Sequence, residues 1–159
     1  MTERVKTCYE ENILSEDEAL ALYLTLRDSI DWTEGIRSRK GFTRMAFGIE
    51  PESLMGEYRY LLEPIVRAGT RLGLKVLTIG NVYLNYYRDG NDYTPNHSHA
   101  DSKQLVISLG TARNLVVGKK RIKMTNGSGI LFGSAVHGVP KDESVKEGRI
   151  SIAVFLPNE

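Results

Sequence analysis

Apolar residues recur at helical spacing over the first part of the chain, then alternate with polar ones after about residue 75, where β-branched residues take over. Ser15 followed by Glu18 has the spacing of a capping box, in which hydroxyl and carboxylate satisfy free N–H groups at a helix start. Ala19, Leu20, Tyr23, Leu24, Leu26 and Ile30 then share one helical face. A second helical stretch carries Leu54, Tyr58, Leu61, Leu62, Ile65, Val66 and Leu72, with Gly73 as its stop. Pro64 falls inside that stretch and predicts a kink or a restart there. Beyond it, strands are expected over residues 75–79, 82–87, 97–101, 104–109, 113–117, 121–124, 129–133 and 149–156. Gly90, Gly118, Asn126-Gly127 and Gly148 punctuate them, and Asn-Gly suits a tight hairpin. Many short strands so spaced predict a sandwich or barrel, with the helices covering one sheet from outside. The fold class is α+β.

A chain of 159 residues fits one domain, 1–159, with a helical part over about 1–74 and a β core over about 75–159. The composition, 41% hydrophobic and 26% charged, is that of an ordinary globular protein. A net charge of +1 excludes a polycation of the histone-tail kind but leaves room for a local basic patch. No apolar run is long enough for a membrane span, and the first residues lack the apolar core of a secretory signal. The single cysteine, Cys8, cannot form an intrachain disulfide. Together these predict an intracellular, cytoplasmic protein with no membrane partner.

The chemistry concentrates in the histidines. Two of the three sit in His97-Ser98-His99-Ala100-Asp101, and the third, His137, lies 36 residues after Asp101. Positions i and i+2 of a strand share a face, so an H-x-D pair presents two metal ligands side by side. A histidine from a later strand would complete a 2-His-1-carboxylate facial triad, which suits non-heme Fe(II). A polar surface loop after Pro95 is the plainer alternative. Arg149 and Ser151, another i, i+2 pair, head the last apolar strand 12 residues past His137. An inward arginine there requires a carboxylate, from 2-oxoglutarate or from an internal partner such as Glu147 or Asp101. Asn85 and Tyr87 form a third such pair, able to hydrogen-bond a carboxylate from the opposite side.

These segments together resemble the AlkB family of Fe(II)/2-oxoglutarate dioxygenases. The resemblance runs through Asn85 to Asp92, Tyr93 to His97, Ile107 to Gly110 with Arg113, Gly129 to Phe132, His137 to Pro140, and Arg149 to Ser151. It implies a double-stranded β-helix, or jelly roll, backed by N-terminal helices. It also implies a monomer that uses Fe(II), 2-oxoglutarate and O2 to hydroxylate nucleic-acid bases. Oxidative demethylation of N-alkylated bases in single-stranded DNA or RNA is the expected activity. Formation of a stable hydroxylated base, a protein or small-molecule substrate, and a non-enzymatic cupin-like metal-binding jelly roll are the alternatives. Carried over by position, Asn85, Tyr87, Arg149 and Ser151 would hold 2-oxoglutarate, and His137 would be the distal iron ligand. The first ligands have two registers. A gapless match selects His97 and His99, giving three histidines; a shift of two residues selects His99 and Asp101, the preferred set because it retains a carboxylate. The family usually has a second arginine six residues after the first, and here that position is Phe155.

Arg39, Lys40, Phe42 and Arg44 resemble the family's nucleotide-recognition lid, where cations would hold phosphates and the ring would stack on a base. A solvated basic loop is the alternative. Lys119, Lys120, Arg121 and Lys123 read as a solvated hairpin edge.

Overall fold

The computed structural model describes residues 6–34, 37–38, 41–99 and 102–157. The chain runs through β1 (Cys8–Glu10), α1 (Glu16–Ser29), β2 (Thr33–Glu34), β3 (Arg37–Ser38), β4 (Gly41–Phe42) and β5 (Met45–Ile49). A short helix α2 (Pro51–Met55), a 3-10 turn (Arg59–Leu61) and α3 (Leu62–Arg71) follow. Eight strands complete it: β6 (Val82–Tyr87), β7 (Thr94–His97), β8 (Lys103–Gly110), β9 (Arg113–Val117), β10 (Lys120–Met124), β11 (Gly129–Phe132), β12 (His137–Val139) and β13 (Arg149–Leu156). A seven-stranded sheet in the order β1-β11-β8-β13-β6-β5-β2 faces a four-stranded sheet in the order β10-β9-β12-β7. This is the expected double-stranded β-helix, and α1 packs on the outer face of the larger sheet against β8 and β13.

The central strands β8 and β13 are buried on both faces, which is why they read as continuous apolar runs. Leu105, Ile107, Leu109, Ile150, Ile152, Val154 and Leu156 join Leu26, Leu61, Ile65 and Ala68 of the helical layer in one core. Val106 and Ala153 point the other way and meet Leu115, Val117, Phe132 and Val139 between the sheets. Full burial of each Leu or Ile side chain is worth about 1.5–3 kcal/mol, so the helical layer anchors the sheet whose opposite face carries the chemistry.

Several expectations need correction. Helix α1 starts at the Ser15 and Glu18 capping box as expected, but Leu20 and Leu24 are exposed while Ala19, Tyr23, Leu26 and Ile30 are buried. The second helical stretch is broken, and Pro64 lies in the first turn of the restarted α3, where its missing N–H costs little. Residues 75–79 form no strand: Val76 is exposed, and Leu77 and Ile79 pack on the core instead of pairing. The first half also supplies β1, β2 and β5 to the main sheet, so the chain does not divide at residue 75. Asn126-Gly127 crosses from one sheet to the other, whereas the tight hairpin is Val117 to Lys120, around Gly118.

Gly90 fixes the loop after β6, exchanging backbone hydrogen bonds with Val145 and Asp142. A Cβ there would overlap the Asp142 carbonyl. Gly90→Ala is therefore expected to destabilise the fold by about 1–3 kcal/mol, the usual cost of overpacking, measured as a lower urea midpoint at unchanged slope.

Candidate metal centre

Strands β6 and β13 lie side by side with Arg149 opposite Tyr87 and Ser151 opposite Asn85. Because side chains alternate, these four residues share the inner face. On the facing sheet, β7 and β12 pair His97 with His137, and His99 follows just beyond the end of β7. All of them line one cleft of about 950 Å³ between the sheets.

The three histidines converge. One nitrogen from each of His97, His99 and His137 lies within 4.8 Å of the other two. His97 Nδ1 lies 2.8 Å from the Pro95 carbonyl, and His137 Nδ1 lies 2.9 Å from the Ala135 carbonyl. Each carbonyl can only accept, so Nδ1 carries the proton and Nε2 keeps its lone pair free to ligate. Burial pushes His137 down to about 4, and burial together with His97 lowers His99. Near neutral pH both rings are therefore in the neutral form that binds a metal. Asp101, the carboxylate of the preferred register, lies outside the described residues.

Arg149 is 1% exposed. Its Nε donates to Ser108 Oγ at 2.7 Å, its guanidinium sits 5.2 Å from the Tyr87 ring centre, and its Nη1 is buried with no hydrogen-bond partner among the described residues. Among the described residues Arg149 forms no ion pair, with Glu147 or any other acid, and Asp101, the second internal candidate, lies outside them. A buried cation without a counter-charge among its described neighbours is costly, and this one lines the cleft. Around it, Tyr87 Oη and Thr94 Oγ1 are 2.7 Å apart, and Ser151 is buried.

Arg44, expected on the basic lid, is instead buried in the cleft wall. Its Nε donates to Asn85 Oδ1 at 2.8 Å and its Nη1 to Thr43 Oγ1 at 2.9 Å. Asn85 thus has its carbonyl engaged and its NH2 group left to donate. Arg39 and Lys40 lie outside the described residues, and of Phe42 only the backbone, paired in β4 with Arg37, is described. The run from Lys119 to Lys123 forms the exposed outer edge of the smaller sheet, as expected.

Sequence reasoning assigned no role to two groups of residues here. Arg113 is buried, donates to the carbonyls of Asp89, Asp92 and Pro140, and lies 5.4 Å from the Tyr87 ring centre. It ties the loop after β6 to the exit of β12, and Asp92 in turn accepts from Arg88. Gln104 is buried with its amide nitrogen 3.4 Å from His137 Nε2. Nearby, the Phe155 ring is 5.1 Å from His99 and the Phe132 ring 4.7 Å from His137.

No family model matches the chain, and no curated protein matches it in sequence. Solved structures do match in fold. The non-heme α-ketoglutarate-dependent epimerase SnoN from nogalamycin biosynthesis superposes with a TM-score of 0.71 at 14% identity, over 97% of this chain and 78% of that one. A Pseudomonas putida prolyl-4-hydroxylase gives 0.64 at 13% identity, over 96% and 92%. A Trichoplax adhaerens prolyl hydroxylase, solved with a hypoxia-inducible-factor peptide fragment, gives 0.59 at 17%, over 94% and 82%. The chain therefore has the fold shared by these α-ketoglutarate-dependent and prolyl hydroxylase structures, a level coarser than the AlkB group.

Proposed function

We propose that this protein is a non-heme Fe(II), 2-oxoglutarate-dependent dioxygenase that hydroxylates a C–H bond. The observation that carries the reading is a cleft lined both by three converging imidazoles and by a buried arginine with an unsatisfied Nη1. The donor set fits the metal: His97, His99 and His137 offer neutral nitrogens, and three protein ligands leave coordination positions for a chelating co-substrate. Bound there, iron would supply oxidation of the C–H bond by O2, coupled to decarboxylation of 2-oxoglutarate to succinate. Arg149 would take the far carboxylate of 2-oxoglutarate through its free Nη1, with Ser151 and Tyr87 beside it. The Asn85 NH2, oriented by Arg44, can only donate and so also selects an acceptor oxygen.

For the substrate, the reading adopts a nucleic-acid base, demethylated or hydroxylated in single-stranded DNA or RNA. Tyr83 and Phe155, edge to face with ring centres 5.4 Å apart, line the cleft and suit a flat ring. A small-molecule or protein substrate is the second reading, favoured by the burial of Arg44 in the cleft wall, where Asn85 and Thr43 hold it.

The deciding measurement is succinate release with Fe(II), 2-oxoglutarate and ascorbate, with and without a methylated single-stranded oligonucleotide. Stimulation by the oligonucleotide is expected. Slow release that ignores it would move the protein to the second reading. No release from folded, iron-loaded protein would leave a metal-binding jelly roll without this activity.

A further inference from the structure

Gln104 poses a hydrogen-bonding problem that the fold solves only in part. It lies in β8 with its side chain on the inner face, directly opposite Phe155 on one neighbouring strand and Phe132 on the other. Neither phenylalanine can hydrogen-bond. The amide is buried, and its one partner among the described residues is His137 Nε2 at 3.4 Å. With Nδ1–H given to Ala135, that Nε2 is an acceptor, so the Gln104 NH2 is the donor. The acceptor is the same lone pair that a metal would take.

We propose that Gln104 is a co-substrate contact, whose NH2 leaves His137 when a metal binds and donates instead to an oxygen of the 2-oxo acid held beside it. The inference rests on the dioxygenase reading above. A metal on His137 Nε2 displaces the Gln104 hydrogen bond and leaves a buried donor unsatisfied, which is unfavourable until an acceptor arrives. Carboxylate and keto oxygens are such acceptors, and the flanking phenylalanines offer no other. Gln104 thus works against metal binding alone and in favour of metal and 2-oxo acid together. It also stands directly across from Phe155, the position where the resemblance leads one to expect a second arginine, and so supplies a polar group to that end of the cleft.

The test is Gln104→Met, close in size but without a donor, studied anaerobically by titrating Ni(II) and then 2-oxoglutarate into the full chain by calorimetry. Ni(II) affinity is expected to be equal to or higher than that of the wild type, while 2-oxoglutarate affinity falls about tenfold, the effect of one hydrogen bond to a charged group. A purely structural glutamine would weaken both steps or neither, and either pattern overturns the proposal. Wild-type protein that binds neither metal nor 2-oxoglutarate would instead overturn the dioxygenase reading itself. Should the variant fail to fold, the side-chain amide signal of Gln104 in 15N-labelled wild type decides. It is expected to shift once with Zn(II) and again with 2-oxoglutarate, and no second shift would refute the contact.

Discussion

Arg149→Leu is expected to weaken 2-oxoglutarate binding by more than a hundredfold while leaving the fold at least as stable as before. In the native cleft the guanidinium is fully buried and held by Ser108 through Nε, with no carboxylate partner among the described residues. Truncating one partner of a buried, hydrogen-bonded charge pair costs about 2–5 kcal/mol, and every 1.4 kcal/mol is tenfold in affinity. Burial also pulls the Arg149 guanidinium below its ordinary value. Replacing that charge with an apolar side chain of similar reach is neutral or stabilising in the absence of ligand. The two effects separate in a thermal melt. Millimolar 2-oxoglutarate should raise the wild-type midpoint in the presence of Ni(II), because a ligand that binds only the folded state stabilises it. The variant should start no lower and show no rise. Arg149→Lys should recover part of the affinity, since a single ammonium cannot reproduce the two-pronged geometry of a guanidinium. A variant with unchanged 2-oxoglutarate affinity would mean that the unpaired Nη1 serves something else.

How far these features could be read beforehand depended on whether a local pattern had a single physical cause. Helix α1 was legible at its first residue because Ser15 and Glu18 satisfy each other's N–H groups locally. Strand β13 was legible end to end, and Arg149 with Ser151 stood out because two polar side chains at i, i+2 interrupt an otherwise apolar run. The strands β1, β2 and β5 escaped notice. They are two to five residues long, and β1 and β2 sit at the two edges of the main sheet, where pairing with a distant strand decides the conformation. Of the strand expected over 97–101, residues 100 and 101 lie outside the described residues; the observed β7 starts earlier, at Thr94, takes in Pro95 as an edge strand that tolerates a missing N–H, and ends at His97. Gln104 was invisible for a different reason. A polar residue in an alternating strand normally reads as facing solvent, whereas β8 has no solvent face.

The ligand set should be decided by removing one candidate at a time. His97→Ala, His99→Ala and His137→Ala are each expected to lower Co(II) or Ni(II) affinity by more than about a hundredfold, exceeding the 10–100-fold typical of residues that only orient ligands. Asp101→Ala is expected to keep affinity within about threefold. The basis is the pairing of His97 with His137 across β7 and β12, with ring centres 4.3 Å apart, and the backbone carbonyl that fixes each Nδ1. A group merely near a metal has no need for that tautomer. Three neutral ligands also carry a consequence for charge. If the three histidines are the ligands, no carboxylate would offset the metal's double charge, so anions should bind more strongly to the loaded site than in a 2-His-1-carboxylate centre, while the bare metal would be held less tightly. Metal binding measured at a series of pH values checks the donor type independently. Burial already keeps His137 neutral down to about pH 4, so a weakening of the site between pH 7 and 5 would not come from protonation of His137. If Asp101→Ala abolished binding while His97→Ala retained it, the ligands would be His99, Asp101 and His137, and His97 would be left as a neighbour of the centre.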